Sequence, residues 1–202
     1  MMIKICGVSR PEDAYFAAQA GATHVGMILW SQARRYVDRE RAKEIACSIK
    51  EGGAQAVGVF VEGSHEKILE TAEFTGIDHI QLTGTSVEAY PKLIKSHDCI
   101  VSIPVSDPMH IPEIKIIQGY VLYDHGIGGS GKSFCWETFQ PPQRRPWILA
   151  GGLNIDNVAK AIRMLKPDGV DVSSGVETCA GKKDHRLIKA FIENAKREMT
   201  NG

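Results

Sequence analysis

Two side chains at the ends of short apolar runs could together catalyse proton transfer. Cys6 closes the run Ile3–Cys6, and Asp124 directly follows the run Gly119–Tyr123. A carboxyl group and a thiol that face each other across one site make a general acid and a general base, provided that the thiol ionises. Position alone leaves two alternatives open, since Cys6 could fill a core and Asp124 could cap a loop.

A second set of residues is suited to binding anions. Arg34 and Arg35 could clamp a carboxylate through paired hydrogen bonds, or could be a solvated pair beside a helix start. The segments Gly151-Gly152 and Ser173-Ser174-Gly175 each follow an apolar run. Glycine lets the backbone approach a phosphate, and amides and hydroxyls donate to its oxygens. Either segment alone is typical of a tight turn, and the two together favour a phosphate site.

A glycine-rich segment at residues 126–133 matches the G-x-x-x-x-G-K-[ST] pattern of nucleotide-binding loops. Such a loop leads into a full helix whose N-terminus holds the phosphates, and here Pro141 ends any helix within about two turns. We therefore interpret this segment, with Gly128, Gly129 and Gly131, as a mobile barrel loop whose backbone amides approach a ligand.

The composition excludes several classes of protein. The 202 residues carry 24 basic and 24 acidic side chains, so no net positive field attracts nucleic acid or a membrane surface. No apolar run reaches the ~18 residues of a membrane span, and the N-terminus lacks the apolar core of a secretory signal. The five cysteines form no C-x-x-C pair and the histidines have no metal-ligand spacing. We therefore expect a cytoplasmic protein without a metal site.

The candidate residues are spaced by a repeated unit of an apolar run, a turn and an amphipathic stretch. Eight such units occur, and their nearly continuous Val/Ile runs are typical of parallel strands covered by helices. Eight units favour a closed α/β barrel of the (βα)8, or TIM, type over an open sheet. No linker divides the chain, so we expect one compact domain over residues 1–202. The carboxyl ends of the strands would bring Cys6, Thr83, Asp124 and Asp171 to one mouth, with His125 left outside as a loop residue.

The unit boundaries follow from periodicity and from capping residues. Strands are predicted at Ile3–Cys6, His24–Leu29, Ala54–Val61, His79–Leu82, Cys99–Pro104, Gly119–Tyr123, Pro146–Ala150 and Gly169–Val172. Helices are predicted from a capping box at Ser9 to Gly21, and at Asp38–Lys50, Ser64–Thr75, Val87–Lys95, Pro108–Ile114 (weakly), Trp136–Gln140, Asn154–Leu165 and Asp184–Met199.

Several of these segments together resemble a known enzyme family. In chain order they are Lys4-Ile5-Cys6-Gly7, Arg35-Tyr36-Val37, Gly58-Val59-Phe60-Val61, Gln81-Leu82, Gly128-Gly129-Ser130-Gly131-Lys132, Gly151-Gly152-Leu153, residues 170–177 (V-D-V-S-S-G-V-E) and Gly181-Lys182-Lys183-Asp184. The set is similar to phosphoribosylanthranilate isomerase of tryptophan biosynthesis, from residue 3 to about residue 195.

The resemblance implies a (βα)8 barrel that performs an Amadori rearrangement of a small phosphoribosyl substrate without a cofactor, as a monomer or homodimer. By the family's pattern, Asp124 is the general acid that opens the furanose ring, and Cys6 is the general base that removes the C2′ proton. Arg35 would hold the anthranilate carboxylate and Asp171 a sugar hydroxyl. The phosphate would lie at Gly151, Gly152, Ser173, Ser174 and Gly175, and the loop from Gly128 through Gly129 and Gly131 to Lys132 would close over the site as a lid.

Four residues depart from the family's pattern, and two other functions stay open. Thr83 stands where histidine is usual, Ala33 where serine is frequent, and His125-Gly126 replaces a short polar pair. One alternative is a barrel of relaxed specificity that also isomerises the related phosphoribosyl-formimino-carboxamide of histidine synthesis. The other is a phosphosugar-binding barrel without catalysis.

Overall fold

A computed structural model describes residues 1–106, 118–125, 135–140 and 146–200, with only the backbone described at residues 199 and 200. Eight parallel strands close into a barrel in chain order, with the first paired to the eighth. The strands are β1 (Met2–Ile5), β2 (His24–Ile28), β3 (Gln55–Phe60), β4 (His79–Leu82), β5 (Asp98–Val105), β6 (Tyr120–His125), β7 (Trp147–Leu149) and β8 (Gly169–Val172). The predicted barrel and its strands are confirmed, with shifts of one or two residues at the strand ends.

Helices cover the outside of the barrel. They are α1 (Pro11–Gln19), α2 (Arg39–Glu51), α3 (His65–Thr75), α4 (Tyr90–Leu93), α5 (Val158–Leu165) and α6 (His185–Thr200). Two 3₁₀ helices (Gly84–Ala89 and Ser174–Val176) and a small antiparallel hairpin of β9 (Glu177–Cys179) and β10 (Lys182–Lys183) complete the described elements. No pattern in the sequence predicted this hairpin.

Local chemistry sets several of these boundaries. Asp38 accepts the Arg41 N–H at 2.8 Å and so begins α2, and Asp184 accepts the N–H of Arg186 at 2.8 Å and so begins α6. Gly76 takes the left-handed conformation that ends α3. These predicted starts and stops are confirmed.

The predicted capping box at Ser9 is wrong, because another acceptor engages its hydroxyl. Ser9 Oγ donates to the Gly181 carbonyl at 2.8 Å, which ties the loop after β1 to the β9–β10 hairpin. Helix α1 begins one residue later, after an extended Arg10, with Pro11 in its first turn.

Three other helix predictions also need correction. Residues 136–138 form a turn rather than a helix, since too few residues precede Pro141 to close i→i+4 hydrogen bonds. The helix predicted at Val87–Lys95 is a 3₁₀ helix from Gly84 that leads into the single turn of α4. Asn154 accepts from the N–H groups of residues 156 and 157 in a preceding turn, so α5 starts only at Val158. The glycines of the predicted lid and the segment Pro108–Ile114 lie outside the described residues.

The barrel interior changes from apolar to polar towards the carboxyl ends of the strands. Its lower part holds a separate apolar cluster of Met2, Val57, Ile100, Leu122, Ile148 and Ala150. Side chains that face inward recur every second residue along a strand, so Lys4 and Ser102 follow Met2 and Ile100 on the inner face. Gln81 and Asp171 are the other buried polar side chains of the barrel strands. Among the described helices, none is long and apolar enough to cross a bilayer.

Candidate active site

A cavity of about 620 Å³ opens at the carboxyl end of the barrel. The predicted site residues Cys6, Arg35, Thr83, Asp124, Asp171 and Ser173 all line it, together with Ile28, Trp30, Gln32, Ala33, Arg34, Val59, Val61, Gln81, Ser102, Pro104 and His125. The structure therefore brings the predicted acid, base and substrate-binding residues to one place. Gly151, Gly152, Ser174 and Gly175 lie outside this lining set, in the adjoining loops.

Cys6 is placed by the continuation of the β1–β8 pairing, since its N–H donates to the Val172 carbonyl at 2.8 Å. The thiol is buried, and Gly26 on the neighbouring strand makes room for it: a Cβ there would lie 3.0 Å from Sγ. Burial raises the pKa of Cys6, and the positive charge of Lys4 acts against that rise. The net effect is a raised pKa of the Cys6 thiol.

Lys4 is a buried cation that the sequence analysis did not single out. Its side chain has no exposed surface, and Nζ donates to Asp171 Oδ1 at 3.0 Å. Burial by itself would lower the pKa of Lys4, but the negative charges of Asp171 and Cys6 outweigh it, so the net direction is upward. One signal was present in the sequence: Lys4 lies in phase with Met2 and Cys6, on the inward face of an otherwise apolar strand.

Asp124 lies within the end of β6 rather than after the strand. Burial, and then the negative charge of Asp171, raise its pKa to about 6, while the His125 N–H and the charge of Lys4 act in the opposite direction. Gly151 has a φ of +88°, and a Cβ there would lie 2.6 Å from the His125 nitrogen and 2.9 Å from Asp124 Oδ1. The carboxyl group thus packs directly against the Gly151 backbone.

The Arg35 guanidinium is held by a carboxylate that lies 142 residues away in the sequence. Its Nε and Nη2 donate to the two carboxylate oxygens of Glu177 at 2.8 and 2.7 Å. Glu177 also accepts from Lys183 Nζ at 2.8 Å, and Lys183 donates to the Ser173 carbonyl at 2.9 Å. Burial would raise the pKa of Glu177, but Arg35 and Lys183 lower it overall. This network links the arginine after β2 to the loop after β8.

The two glycine-containing loops after β7 and β8 are in contact. Gly151 and Gly152 both have positive φ values, of +88° and +65°. A Cβ on Gly175 would overlap the Leu153 carbonyl oxygen, so only glycine permits this packing. Ser173, which begins the second loop, has a buried Oγ with no hydrogen-bond partner among the described residues.

Four residues that line the cavity each have a buried polar atom with no hydrogen-bond partner in the described part of the chain: Trp30 Nε1, Gln81 Oε1, His125 Nδ1 and Ser173 Oγ. A buried polar atom without a partner is costly, so such atoms in a cavity indicate groups that a ligand would satisfy. The interpretation of His125 as a loop residue outside the site is wrong, because it lies in β6 and lines the cavity. Thr83, at the end of β4, is held by its N–H, which donates to Ser86 Oγ at 3.0 Å.

The chemistry of this arrangement is that of proton transfer on an anionic molecule. A thiol, a carboxyl group with an elevated pKa and an arginine surround a space of small-molecule size. Within the part of the chain that the structure describes, no group of three or more His, Cys, Asp or Glu side chains could hold a metal ion.

Comparison with known proteins gives a consistent result. Residues 3–194 match the family model of N-(5'phosphoribosyl)anthranilate (PRA) isomerase. An N-(5'-phosphoribosyl)anthranilate isomerase of Chlamydia felis is 42% identical over 204 residues, covering 97% of each chain.

Solved structures agree with the sequence relatives. A structure of monomers made from the dimeric Thermotoga maritima isomerase superposes with a TM-score of 0.79 at 34% identity, over 98% of this chain and 99% of that one. Another phosphoribosyl anthranilate isomerase, in complex with reduced 1-(o-carboxyphenylamino)-1-deoxyribulose 5-phosphate, gives a TM-score of 0.80 at 33% identity with the same coverage.

Proposed function

The chain belongs to the N-(5'-phosphoribosyl)anthranilate isomerase family, and we propose that Cys6 and Asp124 perform the proton transfers of its reaction. It is an isomerase of tryptophan biosynthesis, which converts N-(5'-phosphoribosyl)anthranilate into 1-(2-carboxyphenylamino)-1-deoxyribulose 5-phosphate. The observation that carries the proposal is the presence of a buried thiol and a carboxyl group with a pKa of about 6 in the lining of one cavity.

The first step is ring opening, with Asp124 as general acid. Its protonated carboxyl group donates to the furanose ring oxygen, the C1′–O bond breaks, and the nitrogen lone pair forms a protonated Schiff base. A carboxyl group with a pKa of about 6 keeps part of its population protonated near neutral pH, whereas an ordinary aspartate near 3.9 does not.

The second step is deprotonation at C2′, with the Cys6 thiolate as general base. The electron pair of the C2′–H bond forms a C1′–C2′ double bond, and the iminium nitrogen takes up the displaced pair. The resulting enolamine tautomerises to the ketone product. Since the iminium nitrogen is itself the electron sink, the chemistry needs no metal or coenzyme.

Arg35 and Asp171 position the two ends of the reacting molecule. Glu177 occupies the Nε–Nη2 edge of Arg35, and the guanidinium has further N–H groups on the Nη1–Nη2 edge. That edge binds the anthranilate carboxylate, while Glu177 fixes the plane of the group. Asp171 accepts from a sugar hydroxyl as well as from Lys4, and Thr83 contacts the substrate through its hydroxyl.

The phosphate binds at the paired loops after β7 and β8. Gly151, Gly152, Ser173, Ser174 and Gly175 offer backbone amides and hydroxyls, and the contact between the two loops supports a shared anion site. The lid role of Gly128, Gly129 and Gly131 rests on sequence alone. A single domain over residues 1–202, a cytoplasmic location and a monomeric or homodimeric state stay predictions.

The test is turnover of freshly prepared phosphoribosylanthranilate, followed by loss of its fluorescence, in the variants Cys6→Ser and Asp124→Asn. We expect each variant to lose at least ~10²-fold in kcat, because positioned acid–base groups contribute ~10²–10⁴-fold. Cys99→Ser is the matched control, since Cys99 is as buried as Cys6 but lies outside the cavity lining. Near-wild-type turnover in a folded Cys6→Ser or Asp124→Asn protein would refute the assigned role.

The two alternative functions make separate predictions in the same assay. A barrel of relaxed specificity would also convert the phosphoribosyl-formimino-carboxamide substrate. A barrel without catalysis would bind the reduced product analogue and leave the fluorescence unchanged.

A further inference from the structure

We propose that Lys4 is a positioning residue for the isomerisation: its buried ammonium, anchored by Asp171, faces the Cys6 sulfur and stabilises the thiolate form of the base. This inference rests on the function proposed above, in which Cys6 removes the C2′ proton.

The geometry brings the ammonium close to both the carboxylate and the sulfur. Lys4 Nζ lies 3.0 Å from Asp171 Oδ1. A Cβ on Gly26 would lie 3.2 Å from Lys4 Nζ and 3.0 Å from Cys6 Sγ, so both atoms border the same small gap over Gly26. Lys4 is also the cation with the largest favourable effect on the Cys6 thiolate.

Stability alone gives little reason for an ion pair at this place. Burying a lysine and an aspartate costs hydration, and well-packed apolar residues of similar volume are often as stabilising as a buried ion pair. The layer directly below Lys4 is apolar, with Met2, Ile100 and Leu122 in its cluster. Apolar side chains at the level of Lys4 would extend this layer and complete the barrel core. We therefore infer that the buried charge serves the chemistry of the site.

The charges around Cys6 come from several strands and loops. Lys4 of β1, Asp171 of β8 and Lys183 of β10 act on the thiol, and Cys6 in turn acts on Arg35 after β2. Lys183 already donates to a carboxylate and to a backbone carbonyl, and its effect on Cys6 is the smallest of the three. Lys4 is therefore the group that opposes the effect of burial on the base.

Asp124, the proposed acid, is linked to the same pair. The charge of Asp171 acts to keep Asp124 protonated, and that of Lys4 acts to ionise it. Removal of Lys4 would favour protonation of both Cys6 and Asp124, so the acid would persist while the base would be lost. A loss of activity in a Lys4 variant would then come from the thiol.

The test measures the thiolate directly, without reference to turnover. The rate of Cys6 alkylation by iodoacetamide is followed against pH, with the modified residue identified by peptide mass spectrometry, in the full-length wild type and in Lys4→Met. We expect Lys4→Met to react at least ~10-fold more slowly at pH 7.5, with the midpoint at least about one pH unit higher, because only the thiolate is nucleophilic. Lys4→Arg, which keeps the charge, should remain closer to the wild type.

Two further variants keep the outcome decisive. Lys4→Met leaves a buried carboxylate without its partner, so Lys4→Met/Asp171→Asn removes both charges and serves if the single variant does not fold. Lys43→Met, on the exposed face of α2, controls for loss of a lysine in general. A folded Lys4→Met protein with a lower melting temperature but an unchanged alkylation midpoint would mean a purely structural lysine and would overturn the inference.

Failure of the proposed function would look different. If Cys6→Ser keeps wild-type turnover, Cys6 is not the base, whatever the alkylation midpoint in Lys4→Met. If Cys6→Ser is inactive, the positioning role also requires kcat/KM in Lys4→Met to fall by the same factor as the alkylation rate at neutral pH. Unequal factors would refute it.

Discussion

Replacing Gly151 by alanine would add one methyl group directly against the proposed acid. The backbone φ at Gly151 is +88°, and the new Cβ would lie 2.6 Å from the His125 nitrogen and 2.9 Å from Asp124 Oδ1. Because the nearer of these contacts is with backbone, no side-chain rotation can relieve it. The end of β6, which carries Asp124, or the loop after β7 must therefore shift.

A second glycine provides the matched control. Gly53 has nearly the same backbone conformation, with a φ of +92°, but a Cβ there would have nothing within 4 Å. The left-handed conformation costs an L-residue about 1–2 kcal/mol, and both Gly53→Ala and Gly151→Ala should lose at least that much free energy of unfolding. Only Gly151→Ala adds the overlap with the acid.

The expected difference is in catalysis. A displacement of about 1 Å of a positioned group can cost ~10²-fold in rate, so we expect kcat/KM of Gly151→Ala to fall by about that factor. Gly53→Ala should stay within about twofold of the wild type, since it changes nothing near the cavity.

Two measurements on each variant decide the matter. Urea denaturation gives the loss of stability, and the fluorescence assay gives kcat/KM at a temperature at which both variants are folded. If Gly151→Ala and Gly53→Ala retain equal kcat/KM, the packing of Asp124 against Gly151 does not position the acid, and this reasoning is refuted.

Two predictions concern pH. The pKa of Asp124 is about 6, and that of Cys6 lies above the ordinary ~8.5 of a thiol. The active form, with Asp124 protonated and Cys6 as thiolate, is then at most a few thousandths of the enzyme. Its population does not change with pH between the two pKa values, so kcat/KM should be flat in that range. In Asp124→Asn the residual kcat/KM should instead rise about tenfold per pH unit through neutrality, and a flat profile there would contradict the assignment. The second prediction concerns stability. Burial lowers the pKa of His24 to about 3, so between pH 6.5 and 3 the unfolded chain binds more protons than the folded protein, and stability decreases as the pH is lowered through that window. When the pH is lowered from 7 to 5, the free energy of unfolding of His24→Asn should decrease by about 1 kcal/mol less than that of the wild type, after allowance for the partial exposure of the ring. Equal decreases in the two proteins, measured by urea titration, would show that His24 is not responsible.

The strands and most helix boundaries were predictable because their signals are local. Parallel strands buried on both faces read as apolar runs, and Asp38, Gly76 and Asp184 act on backbone groups within a few residues. The helix prediction at Trp136–Gln140 was wrong, although its signals are also local, because the helical pattern lies too close to Pro141.

The site was only partly predictable, because its pairings join distant parts of the chain. Lys4 meets Asp171 across 167 residues, and Arg35 meets Glu177 across 142. Propensity and spacing contain no information on such contacts until the barrel closes and brings β1 beside β8. The resemblance indicated which residues matter, and the fold supplied their partners.

The charges of the site bear on the chemistry. Among the described residues, two ion-paired groups lie at the cavity: Lys4 with Asp171, and Arg35 and Lys183 with Glu177. One proton shared between the Cys6 thiol and the Asp124 carboxyl group gives the site the same net charge in either arrangement. An anionic substrate therefore gains no net-charge preference for the productive arrangement, in which the thiolate faces a protonated carboxyl group. Only local position can favour it: a cation beside the sulfur and a carboxylate beside the acid. The pair of Lys4 and Asp171 supplies both, which is why loss of the Lys4 charge should change the catalytic pH profile more than it changes substrate affinity.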